Sequence, residues 1–274
     1  MIDNCIEIKY EDITLKELKS VGNGFIKIHY KDDFFYLKVS VDNSSNQLLI
    51  HNNGAVDYKK RIPPVAQRSS WSGDIKSNCI FFDDKTIHSN ELNTGWGVGK
   101  ADRFYLEDYS AISKKVQELL NIKSEDVFYW GSSAGGYMSI ILSSMHEKSS
   151  AIVNNPQTHL LNHYKGKIDK LINVVFNGDS QAEAFNKYPE RFSVVEAMKK
   201  YGYTPTIYYF QNCQFEFDMA NHFRPFTKSL KEAGISEENN YYILYNDYER
   251  GHSPLPKEQL LKITNNILSN NFMY

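Results

Sequence analysis

Residues 127–137 decide the fold: Val127-Phe128-Tyr129-Trp130-Gly131-Ser132-Ser133-Ala134-Gly135-Gly136-Tyr137. Four apolar residues read as a buried strand, a glycine-bounded corner follows, and Tyr137 to Met145 continues as a helix. Gly131-Ser132-Ser133-Ala134-Gly135 fits G-x-S-x-G, the pattern of a sharp strand-to-helix corner with a serine at its apex. The pattern has a steric cause. Side chains two residues to either side of the apex would collide with the neighbouring strand and helix. At the start of the helix, the Ala134 N–H then points to where negative charge develops on a substrate oxygen. Without a base for Ser133, the same corner is only a packing turn or a phosphate site at a helix N-terminus.

Outward from this corner the chain alternates between strand and helix. Upstream, residues 24–40 carry two apolar runs around Lys31-Asp32-Asp33, which predicts an antiparallel hairpin. Gln47 to Ile50 forms a short strand that enters the loop His51-Asn52-Asn53-Gly54-Ala55, and Cys79 to Phe82 forms another strand. Leu106, Tyr109, Ile112, Val116 and Leu119/Leu120 recur at spacings of three and four, a helix over about 105–120. Downstream, strands are expected at 151–153, 206–210 and 241–245, with helices at about 223–233 and 256–268. This alternation predicts an α/β fold: a mostly parallel central sheet, an N-terminal antiparallel hairpin and helices on both faces. No linker or repeat divides the chain, so 1–274 reads as a single domain, with residues 158–204 as a helical cap insert. In such sheets the working residues sit at the carboxyl ends of the strands.

An apex serine needs a base, and the chain order serine, acid, histidine places it late. Gly251-His252-Ser253-Pro254 lies between the last strand and the last helix, which makes His252 the base. His29 and His51 precede the serine. His88, His146, His159 and His163 read as solvated, and His222, in the loop after a strand, is the one competitor. The acid is expected just past the strand at 206–210. Asp218 is favoured, Glu216 is the alternative, and Asp247 stands close in sequence to His252. The loop 51–55 has the position of the second oxyanion donor, so Gly54 or Ala55 would act with Ala134.

Composition narrows the function classes. Lys+Arg total 31 against Asp+Glu 33, a net charge of −2, which gives no whole-molecule attraction to nucleic acid or anionic lipid. Cys5, Cys79 and Cys213 are three and far apart, so they read as reduced thiols. The N-terminal residues lack a signal-peptide pattern, and no stretch approaches the roughly 18 apolar residues of a membrane span. The expectation is a cytoplasmic protein. Gly95-Trp96-Gly97-Val98-Gly99 lacks the third glycine and the preceding strand of a dinucleotide fingerprint, and no metal-binding motif or bound cofactor is implied.

With Ser133, His252 and the 51–55 loop in these places, the sequence resembles the α/β-hydrolase superfamily. The run Gly131 to Gly136, followed by Asn154-Asn155-Pro156-Gln157, is similar to a bacterial group tied to surface-polysaccharide synthesis. That group includes capsule O-acetyltransferases and the glycan-acetylating component of the accessory secretion system, and the resemblance spans roughly residues 46–265. It implies ping-pong acyl transfer through an acyl-Ser133, with acetyl-CoA as the donor and a glycan hydroxyl as the acceptor. Esterase or deacetylase action on a small acyl ester uses the same residues, and a non-catalytic accessory module is the third reading. In the group the acid lies near Gln214 or Phe215, with a histidine where this chain has Asp218, so this chain departs from the pattern there. Acceptor-site candidates are loop residues at the carboxyl edge: Arg68, Trp71, Trp96 and Gln157.

Overall fold

A computed structural model describes residues 4–89 and 91–270. The strands are β1 (Cys5–Lys9), β2 (Phe25–Tyr30), β3 (Asp33–Ser40), β4 (Leu48–His51), β5 (Asn78–Phe82), β6 (Val127–Ser132), β7 (Ser150–Asn154), β8 (Thr206–Asn212) and β9 (Asn240–Tyr245). They form one sheet in the order β1-β2-β3-β5-β4-β6-β7-β8-β9. β3 pairs antiparallel with both β2 and β5, and all other pairings are parallel, so β3 alone runs against the rest. The expected hairpin is β2–β3. β1 and the short helix α1 (Leu15–Ser20) were not legible as elements; β1 adds to the sheet edge in parallel register, Ile6 beside Ile26 and Ile8 beside Ile28.

Side chains alternate across each strand, and the two sets enter separate cores. On β6, Val127 and Tyr129 face the core built with α2 (Tyr105–Leu119) and α3 (Ala134–Ser144), through residues such as Tyr109, Ile112, Met138 and Ile141. Phe128 and Trp130 face the other core, which is closed by Leu260, Ile267 and Leu268 of α9 (Lys257–Leu268). The central strands β4, β5, β6 and β7 are buried at every position, which explains their continuous apolar runs. Residues between β7 and β8 form α4 (Lys165–Val175), α5 (Gln181–Lys187) and α6 (Val194–Tyr201), and α6 lies against α3. α5 starts on a reciprocal capping box, Ser180 Oγ accepting from the Glu183 N–H while Glu183 accepts from the Ser180 N–H.

After β8 the helix begins earlier than sequence spacing suggested. α7 (Glu216–Asp218), a π turn (Met219–Phe223) and α8 (Arg224–Glu232) follow one another without a break. Asp218 therefore stands in a helical turn rather than in an open loop.

His146, expected to be solvated, is buried, as are His51 and His222, while His163, also expected to be solvated, is half-buried. His146 accepts from, or donates to, the Tyr129 hydroxyl at 3.0 Å, and His51 and His222 are enclosed. Burial lowers His146 and His163 to about 4, His222 to about 3, and His51 well below the ordinary 6.5. Each stays neutral in the fold while an unfolded chain takes up a proton, so stability falls as pH drops below about 6.5 toward 4. Buried Asp84, raised to about 6, acts in the opposite sense over part of that window. With four histidines against it, the melting temperature is expected to fall steadily from pH 6.5 to 4.5. His146→Gln should make that slope shallower.

Candidate active site

The corner at the end of β6 is held by close contact. Ser133 has φ 56° and ψ −124°, a conformation costly for any non-glycine residue. A Cβ on Gly131 would lie 2.2 Å from the Gly135 carbonyl oxygen, and one on Gly135 would lie 2.3 Å from the Asn52 carbonyl oxygen. The second approach shows where the 51–55 loop sits: directly on the first turn of α3. A Cβ on Gly136 would meet Pro156 at 2.7 Å, so the Asn154–Gln157 turn presses on the same corner. Glycine is required at these positions by close neighbours from the first turn of α3 itself and from the segments that follow β4 and β7.

Three side chains meet above this corner. His252 Nε2 lies 2.8 Å from Ser133 Oγ, and His252 Nδ1 lies 2.5 Å from Asp218 Oδ2. Asp218 is 1% exposed; burial raises its carboxyl above the ordinary value, and the hydrogen bond and charge of His252 oppose the rise. Glu216, the alternative acid, points to solvent and pairs with Arg224 at 2.6 Å. Asp247 accepts from the Arg250 N–H at 3.1 Å and shapes the turn that leads to His252. Gln214 donates to Asn246 rather than approaching the imidazole.

The loop carrying His252 is clamped to the sheet by amides. Asn155 Nδ2 donates to the carbonyls of His252 and Ser253 at 3.2 and 3.3 Å. Asn212 Nδ2 donates to those of Asp247 and Gly251 at 2.6 and 2.9 Å, and Asn154 Oδ1 accepts from the Leu255 N–H at 2.8 Å. Asn155 Oδ1 accepts from the Asn212 N–H at 2.8 Å, and the Tyr245 hydroxyl accepts from Asn154 at 2.9 Å. These residues end β7, β8 and β9, so the carboxyl edge of the sheet itself fixes the imidazole. Sequence reading quoted Asn154 and Asn155 only as a motif and passed over Asn212 and Tyr245.

Gln157 and Trp96 take places other than the acceptor-site role expected of them. Trp96 is 1% exposed, so its ring is closed to a sugar. Its indole N–H, which can only donate, bonds Gln157 Oε1 at 3.2 Å. That fixes the amide so that Gln157 Nε2 donates to Ser133 Oγ at 3.0 Å. The glycine-rich loop is held around buried Asp84, whose carboxylate accepts from the N–H groups of Thr86, Gly95 and Gly97. A Cβ on Gly95 would lie 2.4 Å from Thr86 Cβ, so the glycines serve this wrap.

On the other flank, the Gly54 N–H is occupied, donating to Gln67 Oε1 at 2.9 Å. Gln67 Nε2 donates to the Ala55 carbonyl at 2.9 Å, and Val56 N–H bonds Asn93. Of the two expected donors in this loop, Ala55 is thus the one whose N–H has no acceptor among the described residues. Arg68 lies beside the corner, its Nη2 donating to Ser132 Oγ at 2.9 Å and its guanidinium over Trp130 at 4.8 Å and Trp71 at 5.3 Å. Trp71, half-buried, packs edge-on to Trp130. His222, the competing base, is buried and accepts weakly from the Thr158 N–H at 3.4 Å. Among the described residues, no cluster of side chains is arranged to hold a metal ion, and no helix is long and apolar enough to cross a membrane.

Neither a protein-family model nor a curated protein sequence matches the chain. Solved structures do. A mutant of the capsule O-acetyltransferase of Neisseria meningitidis serogroup A, in complex with CoA, superposes with a TM-score of 0.65 at 14% identity, covering 93% of this chain and 100% of that one. The Glycosylation Associate Protein (Gap123) complex from Streptococcus agalactiae gives 0.62 at 14% identity, covering 89% of this chain and 46% of that one. A putative carboxylesterase from Lactobacillus plantarum gives 0.56 at 9% identity, with 89% and 97% covered. An elbow after β6, an almost wholly parallel sheet and these neighbours together give the chain the α/β-hydrolase fold.

Proposed function

We propose that the protein is a serine acyltransferase that O-acetylates a glycan through an acyl-Ser133 intermediate. The observation that carries this is the continuous chain Ser133 Oγ, His252 Nε2, His252 Nδ1, Asp218 Oδ2, with links of 2.8 and 2.5 Å, on a corner of positive φ. The Ser133 hydroxyl donates its proton to His252 as its oxygen attacks the acyl carbonyl. Asp218 holds the Nδ1 proton and balances the imidazolium that forms; the histidines nearby are neutral and add no competing charge. Ala134 N–H and Ala55 N–H take the oxyanion. Gln157 orients Oγ while the nucleophile is free. His252 then protonates the leaving thiol or alcohol, and the acyl-enzyme is resolved when His252 removes the proton of an acceptor hydroxyl.

Acetyl-CoA as donor and a surface glycan as acceptor are drawn from the likeness to the capsule enzyme. Ester hydrolysis by the same three residues is the second reading, and the likeness to the carboxylesterase favours it. The two separate on partition of the acyl-enzyme: with acetyl-CoA or p-nitrophenyl acetate as donor, transfer predicts an acetylated saccharide by mass spectrometry and faster donor consumption when saccharide is added. Release of acetate alone, at a rate indifferent to every saccharide, would assign the protein as an esterase.

A further inference from the structure

Arg68 is a permanent cation without an anionic partner among the described residues. Its backbone is left-handed, φ 61°, its guanidinium lies over Trp71 and Trp130, and its Nη2 bonds Ser132 Oγ. Burial lowers its pKa to about 10, with no neighbouring charge to offset the shift, yet it remains fully charged at neutral pH. No carboxylate among the described residues reaches it. The guanidinium is half-buried and makes one side-chain hydrogen bond to protein among the described residues, so most of its donors are left for a ligand, and an anion there offsets its partial desolvation. Arg68 lines a cavity of about 410 Å³ together with Ala55, Lys60, Arg61, Gln67 and Trp71. Lys60 and Arg61 are exposed, and one carboxylate, Asp57, lies in the same wall, 3.6 Å from Lys60. The cavity thus carries an excess of positive charge, in a chain whose net charge is −2. Two of its lining residues tie it to the catalytic corner: Ala55, whose N–H has no acceptor among the described residues, and Arg68, which bonds Ser132 Oγ beside the nucleophile.

We propose that this cavity binds the carboxylate or phosphate group of a substrate, gripped by the Arg68 guanidinium, so that the enzyme selects an anionic donor or acceptor. Its placement beside the reacting atoms rests on the Ser133 reading; the anion site itself does not. A planar guanidinium stacked on tryptophan presents two parallel N–H donors to such a group, and Lys60 and Arg61 add attraction at the mouth.

Two substrate pairs locate the anion. Acetyl-CoA against acetyl-N-acetylcysteamine compares a phosphate-bearing donor with a neutral thioester. Glucuronate against glucose compares an anionic acceptor with a neutral one. Arg68→Gln should lower the anionic-to-neutral ratio of kcat/KM roughly tenfold to a hundredfold in one pair, the scale of one charge-assisted bidentate contact. Arg68→Lys should restore part of that ratio. Loss in the donor pair assigns the cavity to the donor phosphates, and loss in the acceptor pair assigns it to the glycan. Unchanged ratios in both pairs overturn the proposal. Should Arg68→Gln fail to fold, the exposed pair Lys60→Gln/Arg61→Gln must shift the same ratio in the same direction, and an unchanged ratio is again fatal. Calorimetric binding of CoA and of glucuronate to Ser133→Ala protein separates the two readings. Arg68-dependent binding without any turnover in wild type would retire the acyl-transfer reading and leave the anion site standing.

Discussion

Ser133→Ala lowers kcat for both p-nitrophenyl acetate hydrolysis and acetyl transfer by roughly a millionfold, the scale found when a hydrogen-bonded serine nucleophile is deleted. The loss is this large because the remaining groups lack an oxygen to acylate; His252 and the two N–H donors retain only the weak catalysis of polarisation. Stability should hardly change. The strain at φ 56° belongs to the backbone and is the same for alanine, and the hydrogen bonds lost are those to His252 and Gln157. An unaltered melting temperature beside the lost turnover distinguishes removal of the nucleophile from collapse of the corner. Activity within tenfold of wild type would place the chemistry elsewhere and favour the accessory-module reading.

Asp218→Asn lowers kcat by about ten-thousandfold. An asparagine that donates its amide N–H to His252 Nδ1 forces the imidazole proton onto Nε2, the atom that must accept from Ser133. The tautomer is then wrong although the geometry survives. Because burial already raises the Asp218 carboxyl, replacing the charge with a neutral isostere removes a desolvated group, and the fold should tolerate it. Glu216→Gln is the matched control: that carboxylate is exposed and bound to Arg224, so its loss should leave kcat within about twofold. Kinetics on the two variants side by side check the assignment. A large effect of Glu216→Gln with a small one of Asp218→Asn would reverse it.

The parts of this site that sequence makes legible are the local ones. Strand, corner and helix at 127–144 are contiguous, and the glycines announce the collision they avoid. His252 follows from chain order. What sequence hides is convergence over distance. Asn155 reaches the His252 carbonyl across 97 residues and Asn212 reaches that of Gly251 across 39, because β7, β8 and β9 end side by side. Nothing in the separate segments marks them as a clamp. Trp96 looked like a loop tryptophan available to sugar because its glycine-rich loop reads as lying at the carboxyl edge of the sheet; a buried carboxylate, Asp84, gathers that loop inward instead. β1 was invisible for the opposite reason, since Glu7 and Lys9 make Cys5–Lys9 look like ordinary polar edge sequence until Phe25–Tyr30 is laid beside it.

The central claim is that Ser133 becomes covalently acylated. Intact-mass and peptide analysis of the full chain, quenched in acid after brief mixing with acetyl-CoA or p-nitrophenyl acetate, reads this directly. The account predicts one added acetyl group, on the peptide containing Gly131 to Gly136, that disappears when an acceptor saccharide is supplied and never forms in Ser133→Ala protein. Donor turnover at full rate with no acetyl on that peptide, or the same labelling in Ser133→Ala, would contradict it.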